Sequence, residues 1–192
     1  MKILANLQQR NHNSKPLQVE KKIIRIMEFK LREWNLNDID SLVKYANNYK
    51  IAANLTDQFP HPYNIENGKA FIQMATKDIP TSIFAIEING EASGGIGLHL
   101  QSDIHKKNAE LGYWLAEPHW GKGVMSKAVK QMIDYGFKTF EIERIFASPF
   151  GTNIGSQKVL EKAGFILEGK FEKTLFKNGE YFDELIYAVR KS

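Results

Sequence analysis

The 192-residue sequence contains no cysteine. That absence excludes disulfide frameworks and a cysteine nucleophile, and it suits a reducing compartment. No apolar run approaches the ~20 residues needed to span a bilayer. The apolar stretch within residues 1–7 is too short for a secretory signal, so a cytoplasmic location without membrane contact is expected. Internal repeats and a second core are missing as well. The histidines offer no metal or triad spacing, with His99, His105 and His119 standing apart from one another, and no metal site is expected.

Charge of one sign is also scarce where it would matter. The formal net charge is +4, but six basic residues (Lys2, Arg10, Lys15, Lys21, Lys22 and Arg25) lie within residues 1–27, against Glu20 alone. The rest of the chain is close to neutral, so direct nucleic-acid binding by a folded domain is not expected. Residues 1–26 are polar and rich in Asn, Gln and Lys, without sustained periodicity. They read as a flexible, dispensable extension, with a ribosome- or RNA-binding arm as the alternative, and residues 27–192 as one domain.

What is present is ordered punctuation. Residues 28–34 alternate apolar and charged side chains, as a half-buried strand does. Asn37 reads as the N-cap of a helix with a stripe of Ile39, Leu42, Val43 and Ala46. A second helix is expected from about Asn64 to Lys77, burying Ala70, Phe71 and Met74. Two strands, 83–88 and 94–100, flank Asn89-Gly90, the strongest short hairpin signal. A strand over 109–116 leads into a glycine-bearing turn and a helix whose stripe is Val124, Ala128, Met132, Ile133, Phe137 and Phe140. A short strand over 144–148 follows, then a helix capped by Asn153 and ended by Gly164. Strands over 165–175 and 181–189 pair around Asn178-Gly179. This order indicates one α/β (α+β) domain with a mixed sheet.

Residues 114–125 (WLAEPHWGKGVM) carry the chemistry. A strand, a turn with Gly121 and Gly123, and a helix start together present unpaired N–H groups backed by the helix dipole, the natural seat of a diphosphate. A nucleotide P-loop requires G-x-x-x-x-G-K-[ST], whereas Lys122 is followed by Gly123, so that reading fails.

The words around this turn resemble a known family. Residues 110–115 (ELGYWL) and 120–125 (WGKGVM) are similar to the cofactor motif of the GNAT superfamily of acyl-CoA-dependent N-acetyltransferases, written [Q/R]-x-x-G-x-[G/A]. The sequence departs from it with Trp120 at the first position and Met125 at the last. The wording is that of the branch of ribosomal-protein alanine and serine N-terminal acetyltransferases. Asn153 to Ser156 (NIGS) followed by 159–165 (VLEKAGF), and 59–63 (FPHPY) before a helix, resemble the same branch. The resemblance covers about residues 27–190, and it makes Met27 the expected start of the domain.

The resemblance implies a GNAT-type fold: a mixed, mostly antiparallel central sheet, helices on both faces, and a splayed pair of central strands. It implies acetyl-CoA as co-substrate and an amine acceptor, a protein N-terminus or a small molecule, with a homodimer among the assemblies it allows. The diphosphate would be held by main-chain amides of Trp120, Gly121, Lys122, Gly123, Val124, Met125 and Ser126. Tyr113 and Leu115 would offer backbone groups to the thioester and pantetheine arm, and Asn153 a side-chain contact. A tyrosine that protonates the leaving thiolate in many members would stand at position 160, where this sequence has Leu160. Ser156 is then the candidate acid, and Glu110 the candidate base acting through a water. Each has a structural alternative: Asn153 and Ser156 as the first turn of a helix, Glu110 as a strand-end carboxylate, Tyr113 and Leu115 as core. His61 is a further candidate for substrate contact. Without a nucleophilic cysteine, direct attack in a ternary complex is the expected route. A non-catalytic acyl-CoA-binding protein is the alternative that the missing tyrosine suggests. Acceptor choice is expected to lie in residues 55–63 and in the Asn178-Gly179 hairpin.

Overall fold

The computed structural model describes residues 27–191, and the expectations for residues 1–26 lie outside them. Strand β1 (Lys30–Glu33) opens the sheet and helix α1 (Ile39–Ala46) follows a single 3-10 turn. The expected cap moves two residues upstream. Asn35, not Asn37, accepts the Asn37 N–H at 2.9 Å, while the Asp38 carboxylate takes the Asn35 N–H at 3.0 Å. This capping box wins because Arg32 fixes the Asp38 carboxylate with two hydrogen bonds of 2.7 Å. The Ile39, Leu42, Val43 and Ala46 stripe faces the core as its spacing dictates, with Leu42 and Ala46 fully enclosed.

A short helix α2 (Tyr49–Ala52) and helix α3 (Ile65–Ala75) complete this layer. Asn64 caps α3, but the buried face is Gly68, Ile72 and Ala75, with Phe71 half-buried. Ala70 and Met74 point to solvent, which corrects the expected face. The 68/71/72/75 set has the i, i+3, i+4, i+7 spacing that one helical face requires, and Gly68 rests against Val43 and Leu42 of α1.

Strands β2 (Ile83–Ile88) and β3 (Glu91–Leu100) are joined through Asn89 and Gly90, both at positive φ. Strand β4 (Asn108–Leu115), helix α4 (Val124–Thr139), strand β5 (Arg144–Ala147), helix α5 (Ile154–Ala163) and the hairpin β6 (Ile166–Lys177) and β7 (Glu180–Arg190) follow. The seven strands lie in the order β1-β2-β3-β4-β5-β7-β6. Every adjacent pair is antiparallel except β4–β5.

Alternation along β4 divides two cores between the faces of the sheet. Ala109, Leu111 and Leu115 face α4 and α5, against Val129, Met132 and Leu160. Trp114 faces α1 and α3, beside Trp34, Leu42 and Ile72. The α4 stripe is deepest at Val124, Ala128, Val129, Met132 and Gly136, and Ile133, Phe137 and Phe140 form its half-buried flank. A Cβ on Gly136 would lie 2.5 Å from Leu98 Cδ1, so the missing side chain is what lets α4 sit so low on the sheet.

The parallel pair is short. Only Asn108, Ala109 and Glu110 pair with Arg144, Ile145 and Phe146. Beyond them β5 ends, and the chain turns to a bridge between Phe150 and Glu184, while β4 runs on to Leu115. The two central strands splay from Glu110 outward.

Candidate active site

The turn between β4 and α4 is built from backbone. A 3-10 turn at Glu117–His119 brings the chain round, and the Trp120 N–H is bound by the Glu117 carbonyl at 3.1 Å. The helical ladder begins only where the Lys127 N–H meets the Gly123 carbonyl. Between these points the N–H groups of residues 121–126 have no main-chain acceptor among the described residues. Gly121 and Gly123 both sit at positive φ, 72° and 76°, a conformation in which a side chain would be strained. The Val124 and Met125 side chains are buried, so these residues show the outside only their backbone. The first turn of α4 has no acidic residue, and its dipole is unopposed toward an anion.

Trp120 departs from the arrangement expected of it. Its amide is engaged as described, and its indole Nε1 donates to the Leu115 carbonyl at 2.6 Å. The side chain ties the start of the turn back to the end of β4. The Trp120 side chain thus acts as a brace for the turn.

The Ala116 N–H bonds to the Ser93 carbonyl, so the even-numbered residues of β4 point their polar backbone groups at β3. Tyr113 and Leu115 point theirs into the opening between β4 and β5. The Leu115 carbonyl is held by Trp120, leaving its N–H on that edge. Across the opening stands the start of α5. Asn153 caps that helix, its Oδ1 accepting the Ser156 N–H at 3.0 Å, a bond that does not use the Nδ2 donors. The Tyr113 hydroxyl lies 2.6 Å from Ser156 Oγ. Burial pushes the Tyr113 hydroxyl up to about 12, partly opposed by the Ser156 hydrogen bond. Leu160 is wholly enclosed in the core.

Glu110 is half-buried at the root of the splay, directly opposite His99 on β3. Alternation puts its side chain on the α1–α3 face, whereas Tyr113 and Ser156 meet on the other. The structure therefore brings Tyr113 and Ser156 together but leaves Glu110 on the far side of the strand. Among the described residues no three His, Asp or Glu side chains come together as metal ligands. His119 is held below its ordinary value by burial and by Lys122.

A second surface lies over the outer end of β4. Residues 55–63 pack onto it, with the Phe59 ring 6.0 Å from that of Trp114. Two adjoining clefts of about 290 and 330 Å3 open between α2 and the β6–β7 hairpin, sharing Tyr49, Ala53 and Asn178, and the larger also borders this segment through Asp57, Phe59 and Pro60. His61 lines the larger one, its ring 5.7 Å from that of Tyr49. Lys177, only 8% exposed, joins the two segments expected to choose the acceptor: its Nζ donates to the Leu55 carbonyl at 2.6 Å and reaches Asp57 at 3.1 Å. Sequence reasoning missed both this lysine and the Tyr113 hydroxyl. A lone lysine beside a hairpin turn carries no signal of burial, and the pairing of Tyr113 with Ser156 spans 43 positions.

The chain matches the acetyltransferase (GNAT) domain family over residues 28–166. YdaF of Bacillus subtilis (strain 168), whose name provisionally assigns it as a ribosomal N-acetyltransferase, is 35% identical over 103 residues, 54% of this chain and 56% of its own length. The ribosomal-protein-serine acetyltransferase of Escherichia coli (strain K12) is 38% identical over 82 residues, 43% of this chain and 46% of its own length. The matches thus span about half the length of these curated relatives. Among solved structures, the microcin C7 self-immunity acetyltransferase MccE, in complex with acetyl-CoA and AMP, superposes with a TM-score of 0.73 at 26% identity, over 85% of this chain and 93% of that one.

Proposed function

The chain belongs to the GNAT acetyltransferase family, and from that premise we propose that it transfers an acetyl group from acetyl-CoA to a primary amine by direct attack in a ternary complex. The observation that carries this reading is the run of N–H groups at residues 121–126 without main-chain acceptors, at the head of a helix and beside a splayed strand edge. Gly121, Lys122, Gly123, Val124, Met125 and Ser126 hold the diphosphate through their amides. The edge groups of Tyr113 and Leu115 hold the pantetheine arm as a missing strand would, and Asn153 adds its Nδ2. Glu110 accepts the proton of the acceptor ammonium through a water, since an amine is mostly protonated at neutral pH. Ser156 supplies a proton to the sulfur. The acceptor, a protein N-terminus or a small amine, enters over the clefts between residues 55–63 and the β6–β7 hairpin.

Release of free thiol from acetyl-CoA, measured with a panel of amines and N-terminal peptides, tests the proposal. Release that depends on one class of acceptor supports it and identifies that class. A second reading is favoured by one observation: Leu160 fills the position of the family's acid and is locked in the core. Tight acetyl-CoA binding without release to any acceptor would make the protein a non-catalytic acyl-CoA-binding module instead.

A further inference from the structure

We propose that the Tyr113 hydroxyl positions the Ser156 hydroxyl across the opening between the central strands, so that the pair acts as one unit toward the departing sulfur. This rests on the reading that Ser156 is the proton donor. Tyr113 lies three residues beyond Glu110, the last residue of β4 paired with β5, and Ser156 lies in the first turn of α5 on the other bank. Their 2.6 Å contact spans the gap that opens when the strands part. The oxygens are as close as a strong O–H···O bond allows.

The direction of that bond follows from chemistry. Either oxygen of the pair can donate, and because a phenol is a stronger acid than an alkanol, the arrangement we propose places the Tyr113 proton toward Ser156 Oγ. The other acceptor within reach, the Ser156 carbonyl, is farther away at 3.3 Å. With Oγ accepting from Tyr113, the serine keeps its own hydrogen to donate into the opening. The Ser156 backbone is fixed independently by the Asn153 cap. Because burial holds the Tyr113 hydroxyl near 12, it stays protonated throughout the neutral range and the bond persists.

The proton count closes. As the nitrogen–carbon bond forms and the carbon–sulfur bond breaks, the sulfur keeps the electron pair and takes the Ser156 proton. The acceptor nitrogen, having already lost its ammonium proton to Glu110, gives up a second proton as the amide forms, and that one returns to Ser156 through solvent. Tyr113 keeps its proton and steadies the transient serine oxyanion, so it is a positioning residue and Ser156 the group that meets sulfur.

Tyr113→Phe removes one oxygen and leaves the ring in the core. With the fastest acceptor of the panel and saturating acetyl-CoA, we expect kcat to fall about tenfold, the scale of coupling between hydrogen-bonded neighbours. Acetyl-CoA affinity should stay within twofold of wild type, a split that loss of packing alone would not give. Ser156→Ala should lower kcat at least as far, and the double variant should be no slower than Ser156→Ala, since neither hydroxyl works without the other. Full kcat in Tyr113→Phe beside a slow Ser156→Ala would overturn the positioning role and leave the serine acid standing. Full kcat in both single variants, or no thiol release by the wild-type protein, would remove the serine reading and this inference with it. Parallel losses of affinity and kcat in Tyr113→Phe would reduce the tyrosine to a packing residue.

Discussion

The two sides of the opening are built in different ways. On the α4 side the candidate cofactor seat is made of backbone: two glycines at positive φ, buried Val124 and Met125, and a helix held low on the sheet by Gly136. Its geometry follows from the path of the chain, and the side chains that define it face inward. On the acceptor side the surface is made of side chains. It depends on one nearly buried lysine bridging Leu55 and Asp57, on Tyr49 reaching toward Asn178, and on Glu117 receiving both Asn48 and Lys50. A site made of backbone has little freedom to vary without losing the turn. One made of side chains can change its preference by single substitutions.

That contrast can be broken most severely at Gly123. A Cβ at Gly123 would meet no atom within 4 Å, so the effect of Gly123→Glu should be strain and repulsion of the diphosphate rather than collapse of the core. Wild-type protein at ~100 times the dissociation constant of acetyl-CoA should gain about 2.7 kcal/mol of stability. The variant should show no thermal shift at that concentration, and an undiminished shift would remove the turn from the binding site. Next in size, Glu110→Gln should lower kcat/KM by ~10²–10⁴ near neutral pH while sparing acetyl-CoA affinity. Part of the rate should return as pH rises, because more acceptor amine is then already deprotonated. Full activity at all pH values would return Glu110 to a structural role.

Smaller effects sharpen the comparison. Lys177→Met should leave the Leu55 carbonyl without its donor and cost ~1–3 kcal/mol. It should raise the KM for the acceptor and leave the acetyl-CoA dissociation constant unchanged; a change in cofactor affinity instead would deny the division between the two sides. Trp120→Phe should be mildest. Losing one neutral hydrogen bond is worth ~0.5–1.5 kcal/mol, which predicts a two- to tenfold weaker grip on acetyl-CoA in a calorimetric titration.

Legibility in the sequence divided along the same line. The hairpins at Asn89-Gly90 and Asn178-Gly179, the helix start near Asn64, the caps at Asn153 and Gly164, and the turn at residues 120–126 could be read because each depends on local backbone rules. The cap at Asn35 was missed because Arg32 and Asp38 favour it through a contact with the sheet that a local pattern does not reveal. The face of α3 was misassigned for a related reason: Met74 and Ala70 are apolar enough to be core, and it is the packing of Ile72, Ala75 and Phe71 against α1 and the sheet that turns the other side inward. Trp120, Tyr113 and Lys177 were visible as letters, but their partners lie on other elements or at the far end of a strand.

An unpaired strand edge is ordinarily a hazard, because it can template the addition of a strand from another molecule. The outer edges of this sheet are blunted. Strand β1 is four residues long and carries Lys30, Arg32 and Glu33, and β6 breaks register between Leu167 and Gly169 and again between Phe171 and Leu175. The third edge, β4 beyond Glu110, lies within the sheet, flanked by β5 and the start of α5. A foreign polypeptide would have to bring its side chains into that cleft, whereas a slender, unbranched ligand need not. An edge set inside a sheet in this way can stay open for hydrogen bonding while being sheltered from the edge-to-edge pairing that an outer strand invites.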